Sequence, residues 1–277
     1  MNQLLAKIGQ MFTVDEDGRE LALNHDTGLL KLLACVFMLC DHAGKMLFPN
    51  AMMLTPINIG IAISPISILR AIGRLAMPIF AYCIAVGCKY TRNIWKYALR
   101  ILLMAILVHP LYQEAMGHVR LNAFDWGQNF WRIGKIWKYY YSSNLNILFT
   151  LFFGVVIIGC IRCKQYIPLT IAVLMAFCMT ARLDYGVKGV ILIVLFYAFL
   201  DKPLVSFVAV LTFLLYWTAP TIFTKFKFKA ISEFYAILSL AFIYLPVKKR
   251  SVKLPKWFFY GFYPAHLLAI YLVQVIK

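Results

Sequence analysis

Long apolar runs separated by short polar segments make up most of this chain. Runs of near-spanning length occupy about residues 29–48, 71–88, 97–112, 145–161, 166–181, 186–200, 203–219, 231–246 and 257–276. A helix crosses the hydrocarbon core of a bilayer with roughly 20 such residues. The pattern predicts an all-α, polytopic membrane bundle of about nine to ten transmembrane helices, with nine the preferred count. The difference lies in residues 51–68, which are apolar but interrupted by Pro56, Asn58, Gly60, Ser64 and Pro65. They read as a further span, a re-entrant segment or an interfacial loop.

Two polar segments frame this pattern. Residues 1–27 carry Asp15, Glu16, Asp17, Glu20 and Asp26, which is not the basic start of a cleavable signal peptide. They read as a soluble N-terminal arm before a single transmembrane domain, 28–277. Residues 113–143 form the one long polar connection. Trp126, Trp131, Trp137, Tyr139, Tyr140 and Tyr141 alternate there with Arg132, Lys135 and Lys138. That mixture suits an amphipathic segment in the headgroup layer, or a lid over a site. There is no internal repeat.

Composition removes the soluble alternatives. Hydrophobic residues are 62% of the chain, charged residues 14%, and the mean hydropathy is +0.77. The net charge of +17 does not imply nucleic acid, because the basic residues fall in loop-like clusters between apolar runs. Lys89/Arg92/Lys96/Arg100 and Lys248/Lys249/Arg250/Lys253/Lys256 are examples. Such clusters are held by anionic membrane lipids and set orientation. With nine spans, the N-terminal side carries 15 Lys/Arg and the other side 13, or 10 when Lys45, Arg70 and Arg74 are set aside as helix residues. The bias favours a cytoplasmic N-terminus. Of seven cysteines, five lie within apolar runs, and Cys160-x-x-Cys163 reads as a helix end. No metal site is expected.

The informative residues are polar ones inside apolar runs, where each costs a few kcal/mol unless paired or useful. Asp41-His42 is the foremost. Neighbours on a helix point about 100° apart, so the two face different partners. His42 suits a general base or an acyl carrier, with Asp41 orienting it, or the two make a structural ion pair. Arg70 and Arg74 are spaced i, i+4 and suit a clamp on phosphate or carboxylate, or snorkel at a helix end. Gly73 permits close helix approach and Pro78 a kink. His109, Asn146, Asp184, Tyr185 and His266 are further candidates; His266 can equally bond a backbone carbonyl or Tyr263. Under nine-span parity, Asp41, His42, Arg70, Arg74, His109, Asn146 and Asp184 fall near one membrane face. This predicts one polar cavity opening on one side.

These residues also carry a resemblance. KLLACVFMLCDHAGKMLFP, RAIGRLAMPIFAYCIAVGCKYTRN, KYALRILLMAIL, NILFTLFFGVV, DYGVKGVILIVLFY and FYGFYPAHLLAIYL look like successive blocks of the TraX family, in order, over about residues 28–276. That family includes the membrane acetylase of conjugative F pilin. Met77 stands where an aromatic is expected, 51–68 looks like an insertion, and His109 falls where the family pattern varies. TraX is similar to a wider group of transmembrane acyltransferases that acetylate surface glycans or heparan glucosamine. The resemblance implies acetyl-CoA as co-substrate, His42 as catalytic histidine, and Arg70 and Arg74 as cations for its phosphates. It implies a multi-pass enzyme of a bacterial cytoplasmic membrane, acting on an amine or hydroxyl of a protein, glycan or lipid. Oligomers are compatible with this reading. The rival expectation is a transporter or membrane assembly factor with a buried charge network, although the pseudo-symmetry usual in carriers is missing.

Overall fold

A computed structural model of the protein describes residues 27–46, 57–58, 62–63, 65–117, 138, 140–141, 144–225, 232–244 and 255–276. The acidic arm apart from Thr27, and most of 113–143, lie outside the described residues. The helices are α1 (Gly28–Met46), α2 (Pro65–Gly73), α3 (Ala76–Tyr90), α4 (Ile94–Ala115), α5 (Ile147–Arg162), α6 (Tyr166–Cys178), α7 (Gly186–Ala198), α8 (Pro203–Lys225), α9 (Ser239–Tyr244) and α10 (Lys256–Ile276). A 3-10 turn, Ser232–Leu238, leads into α9. The described part of 51–68 is not a further helical span. It holds a small antiparallel pair, β1 (Ile57–Asn58) and β2 (Ala62–Ile63), and then the start of α2.

Local chemistry sets the helix ends. The side chain of Asn93 accepts from the Lys96 N–H and that of Asn146 from the Leu148 N–H, capping α4 and α5. The break between α2 and α3 has a proline cause. Pro78 has no N–H for the Arg74 carbonyl one turn earlier, and its ring crowds that carbonyl. The Leu75 N–H bonds three residues back to Ile72, and the Arg74 N–H is shared between Arg70 and Ala71. Ile68–Tyr90 is therefore one apolar rod with a joint in its first half.

Ile68–Tyr90, Ile94–Ala115 and Trp257–Ile276 are long and apolar enough to cross a membrane. α1 has 19 residues, but Lys31, Asp41 and Lys45 interrupt it. Large apolar side chains face outward, among them Leu107, Ile167 and Leu174. In water that surface would drive aggregation; a bilayer solvates it. The protein is a helical membrane protein. Its centre is α3, where Ile79, Ala81, Tyr82, Ala85 and Cys88 are all buried against α1, α5 and α7.

The two ends of the bundle differ. At one end Lys89 pairs with Asp201, and Arg162 donates to the carbonyls of Cys88 and Thr91 at 3.0 and 3.1 Å. Those charges meet partners at the surface. At the opposite end, the C-terminal parts of α1 and α4, the α2–α3 joint and the α6–α7 turn surround a cavity.

Candidate functional site

The cavity measures about 180 Å³. Its polar lining is Asp41, His42 and Lys45 from α1, Arg70 and Arg74 from the α2–α3 joint, Tyr112 from α4, and Asp184 and Tyr185 from the α6–α7 turn. Met38, Met77, Phe80 and Ile147 complete the wall. The joint explains how two arginines reach one space. It keeps Arg70 and Arg74 a turn apart while ending α2 against α1. Gly73 makes the approach possible: a Cβ there would stand 2.2 Å from the Asp41 Cβ, so only glycine fits.

The α6–α7 turn is held in an unusual backbone state. Tyr185 (φ 63°) and Gly186 (φ 58°) are both left-handed. For tyrosine that conformation costs about 1–2 kcal/mol. The Thr150 hydroxyl holds the turn by donating to the Asp184 carbonyl at 2.5 Å. The result aims the Tyr185 ring between the Arg74 guanidinium, 6.0 Å from the ring centre, and the Trp217 indole, 6.1 Å away edge-on. Tyr185 and Arg74 also wall a second, apolar crevice with Leu214, Trp217 and Thr218.

Three cations and two carboxylates thus share the first cavity. Burial pushes the carboxyl of Asp184, in the turn between helices, up to about 6; Asp41 adds to this, while Arg74, Lys45 and the Tyr185 N–H oppose it. Asp41 Oδ1 and Arg70 Nε are buried and make no hydrogen bond among the described residues. A buried polar atom without a partner is costly, and a polar or charged ligand is one way to satisfy it.

His42 does not sit alone. Its Nδ1 lies 3.0 Å from Nε2 of His266 on α10, 224 positions later. His266 Nδ1 in turn donates to the Phe262 carbonyl at 2.9 Å. The backbone contact expected of His266 exists, and the ring is joined to His42 as well.

His109 and Asn146 are placed elsewhere, in a second buried cluster under α4. His109 Nε2 donates to the Tyr140 carbonyl at 2.9 Å, and the Asn146 amide donates to the Ala105 carbonyl at 2.9 Å. This cluster surrounds Pro110, through which α4 continues to Ala115 rather than ending near 112. Pro110 leaves the Ile106 carbonyl without its helical donor, and the Tyr141 hydroxyl supplies one at 2.8 Å. The Gln113 amide fastens the same strand of chain at the Asn144 carbonyl, 2.6 Å away.

Lys45 and Tyr112 were not singled out by sequence. Lys45 had a signal: it lies four residues after Asp41, on the same helical face. Tyr112 had none. Among the described residues no group of three or more His, Cys, Asp or Glu could hold a metal ion.

Comparison with known proteins places the chain. A family model described as TraX protein matches residues 26–274. The chain is also similar to Probable fimbrial assembly protein FimC, serogroup H1, of Dichelobacter nodosus, at 22% identity over 163 residues. That match covers 58% of this chain and 57% of the relative, so the chain spans little more than half the length of the relative it matches. No solved structure matches it.

Proposed function

The chain belongs to the TraX protein family, and on that premise we propose that it is a multi-pass membrane acyltransferase that moves an acetyl group from acetyl-CoA to an amine or hydroxyl. In this reading the nine rods α1, α2–α3, α4, α5, α6, α7, α8, the 3-10 turn with α9, and α10 all cross a bacterial cytoplasmic membrane. The observation that carries the proposal is a half-buried histidine on the wall of a cavity that also holds Lys45, Arg70 and Arg74.

The residues fit the donor's chemistry. Arg70 Nε, buried and without a hydrogen-bond partner among the described residues, suits an arriving phosphate or developing oxyanion. A cavity of about 180 Å³ admits one end of a long donor rather than all of it. Acetyl-CoA supplies an activated acetyl thioester. His42 takes the proton of the acceptor's amine or hydroxyl as that atom attacks the carbonyl; the C–S bond then breaks, and the same proton passes from His42 to the departing CoA thiolate. Asp41 balances the neighbouring cations.

The test is CoA thiol release from acetyl-CoA by purified protein in nanodiscs, with and without candidate acceptors. Release that stops in His42→Ala supports the enzyme. A second reading draws on the fimbrial assembly protein it resembles: a membrane assembly factor that binds a pilus subunit. Stable binding of such a subunit with no CoA release, in wild type as in His42→Ala, selects that reading.

A further inference from the structure

Two histidines from the first and last described helices share one hydrogen bond, and its direction can be worked out. Their ring centres are 5.2 Å apart and their planes differ by 14°. A separation of 5.2 Å leaves room for little besides the two ring radii and the 3.0 Å N···N line, so the rings meet edge to edge, nearly in one plane. That is the geometry of a straight N–H···N bond, not of stacked faces. The Phe262 carbonyl can only accept, so His266 Nδ1 carries a hydrogen. Neutral imidazole has one N–H, which leaves His266 Nε2 a lone pair. His266 has no carboxylate among its partners to balance a buried positive charge. The shared hydrogen therefore belongs to His42 Nδ1. His42 Nε2 is left with a lone pair and makes no hydrogen bond among the described residues, on a ring that lines the cavity.

We infer that His266 is a positioning residue: anchored by the Phe262 carbonyl, it holds His42 in the Nδ1–H form and turns the basic Nε2 toward the reacting groups. This deepens the proposed acyltransferase reading, in which His42 must receive a proton. It gives a neutral imidazole the orienting part that a carboxylate takes in a Ser-His-Asp triad. As His42 Nε2 gains the acceptor's proton, the positive charge on that ring strengthens its Nδ1–H bond to His266. The hydrogen between the two rings stays on His42 Nδ1 throughout, and the proton gained at Nε2 leaves with the CoA thiol.

The chain has five histidines, so ¹⁵N spectra of histidine-labelled protein in nanodiscs are tractable. Wild type is expected to show a ¹⁵N–¹⁵N coupling across the hydrogen bond and His42 as the Nδ1–H tautomer. His266→Phe keeps an aromatic ring but removes the acceptor. It should release His42 to the other tautomer and lower CoA release by about 10²-fold, with KM for acetyl-CoA little changed. His266→Gln restores an acceptor and should recover part of the rate. Absence of the coupling in wild type overturns the inference even if neither variant folds, and so does a His266→Phe protein that keeps both the tautomer and the rate. If the coupling and the tautomer change are seen but wild type releases no CoA, the positioning role of His266 stands and the acyltransferase reading fails.

Discussion

Two histidines, one on each of two helices that pack against α10, have opposite fates. His109 is fully enclosed, and both of its nitrogens are engaged. Nε2 donates to the Tyr140 carbonyl, and Nδ1 faces the Asn146 amide at 3.5 Å. It is part of a fastening that satisfies the carbonyls around Pro110. His42 is tied through one nitrogen only, and the other is left on a cavity wall. Exposure and the remaining hydrogen-bonding capacity both set the two apart, in the direction that the proposed acyltransferase reading asks of a reactive histidine.

The comparison breaks most directly by removing each ring. His42→Ala should lower CoA release by about 10²–10⁴-fold while leaving insertion and thermal unfolding near wild type. His109→Ala should do the reverse. It leaves the Tyr140 carbonyl buried without its donor and opens a cavity, so it should cost about 2 kcal/mol or more of stability. The protein that still folds should turn over normally. Thermal unfolding in detergent beside the CoA assay reads both outcomes, and loss of turnover in a fully stable His109→Ala would collapse the distinction.

Gly73→Ala should sit between these cases. Its methyl has no room beside Asp41, so α1 and α2 must part, at about 1–3 kcal/mol. Because the contact forms the cavity wall, CoA release should fall more than stability does.

A finer cut tests the fastening alone. Tyr141→Phe removes the donor to the Ile106 carbonyl and should cost ~1 kcal/mol. Pro110→Ala returns a backbone N–H to that carbonyl, so Tyr141→Phe should cost less in its presence. A double-mutant cycle measures the coupling. Neither change should alter the rate.

The smallest effect concerns charge at the cavity. With Asp184 titrating near 6, its negative charge is present above that pH and lost below it. Anion binding to Lys45, Arg70 and Arg74 should therefore tighten several-fold as pH falls from about 7.5 to about 5. Sulfate, whose own charge is constant over that range, is a suitable titrant against acetyl-CoA. Asp184→Asn should bind more tightly at the higher pH and lose the dependence.

Much of this was legible in sequence. The apolar runs located the helices, and the cost of Asp41, His42, Arg70 and Arg74 in such runs marked them out. Parity brought Asp184 to the same face, and Pro78 announced the joint. The separation of His109 and Asn146 from the cavity was not legible. A polar residue's role depends on which carbonyl stands opposite it, and no local spacing encodes that. The same limit hid the His42–His266 bond, since periodicity carries no information across 224 positions. The left-handed state of Tyr185 was equally hidden, because a tyrosine does not announce it. The extension of α4 past Pro110 has no local signal, because its compensation comes from Tyr141, outside the helix.

The distance between His42 and His266 along the chain has a consequence for synthesis. α1 emerges from the ribosome and enters the membrane long before α10 is made. Through that interval His42 lacks the His266 acceptor for its Nδ1–H, so this bond does not yet choose its tautomer. The basic nitrogen is aimed only when α10 docks beside α1. Under the proposed acyltransferase reading, competence for chemistry is thus acquired late, as a property of the assembled bundle, and a partly inserted chain carries in its first described helix a histidine whose tautomer is not yet set.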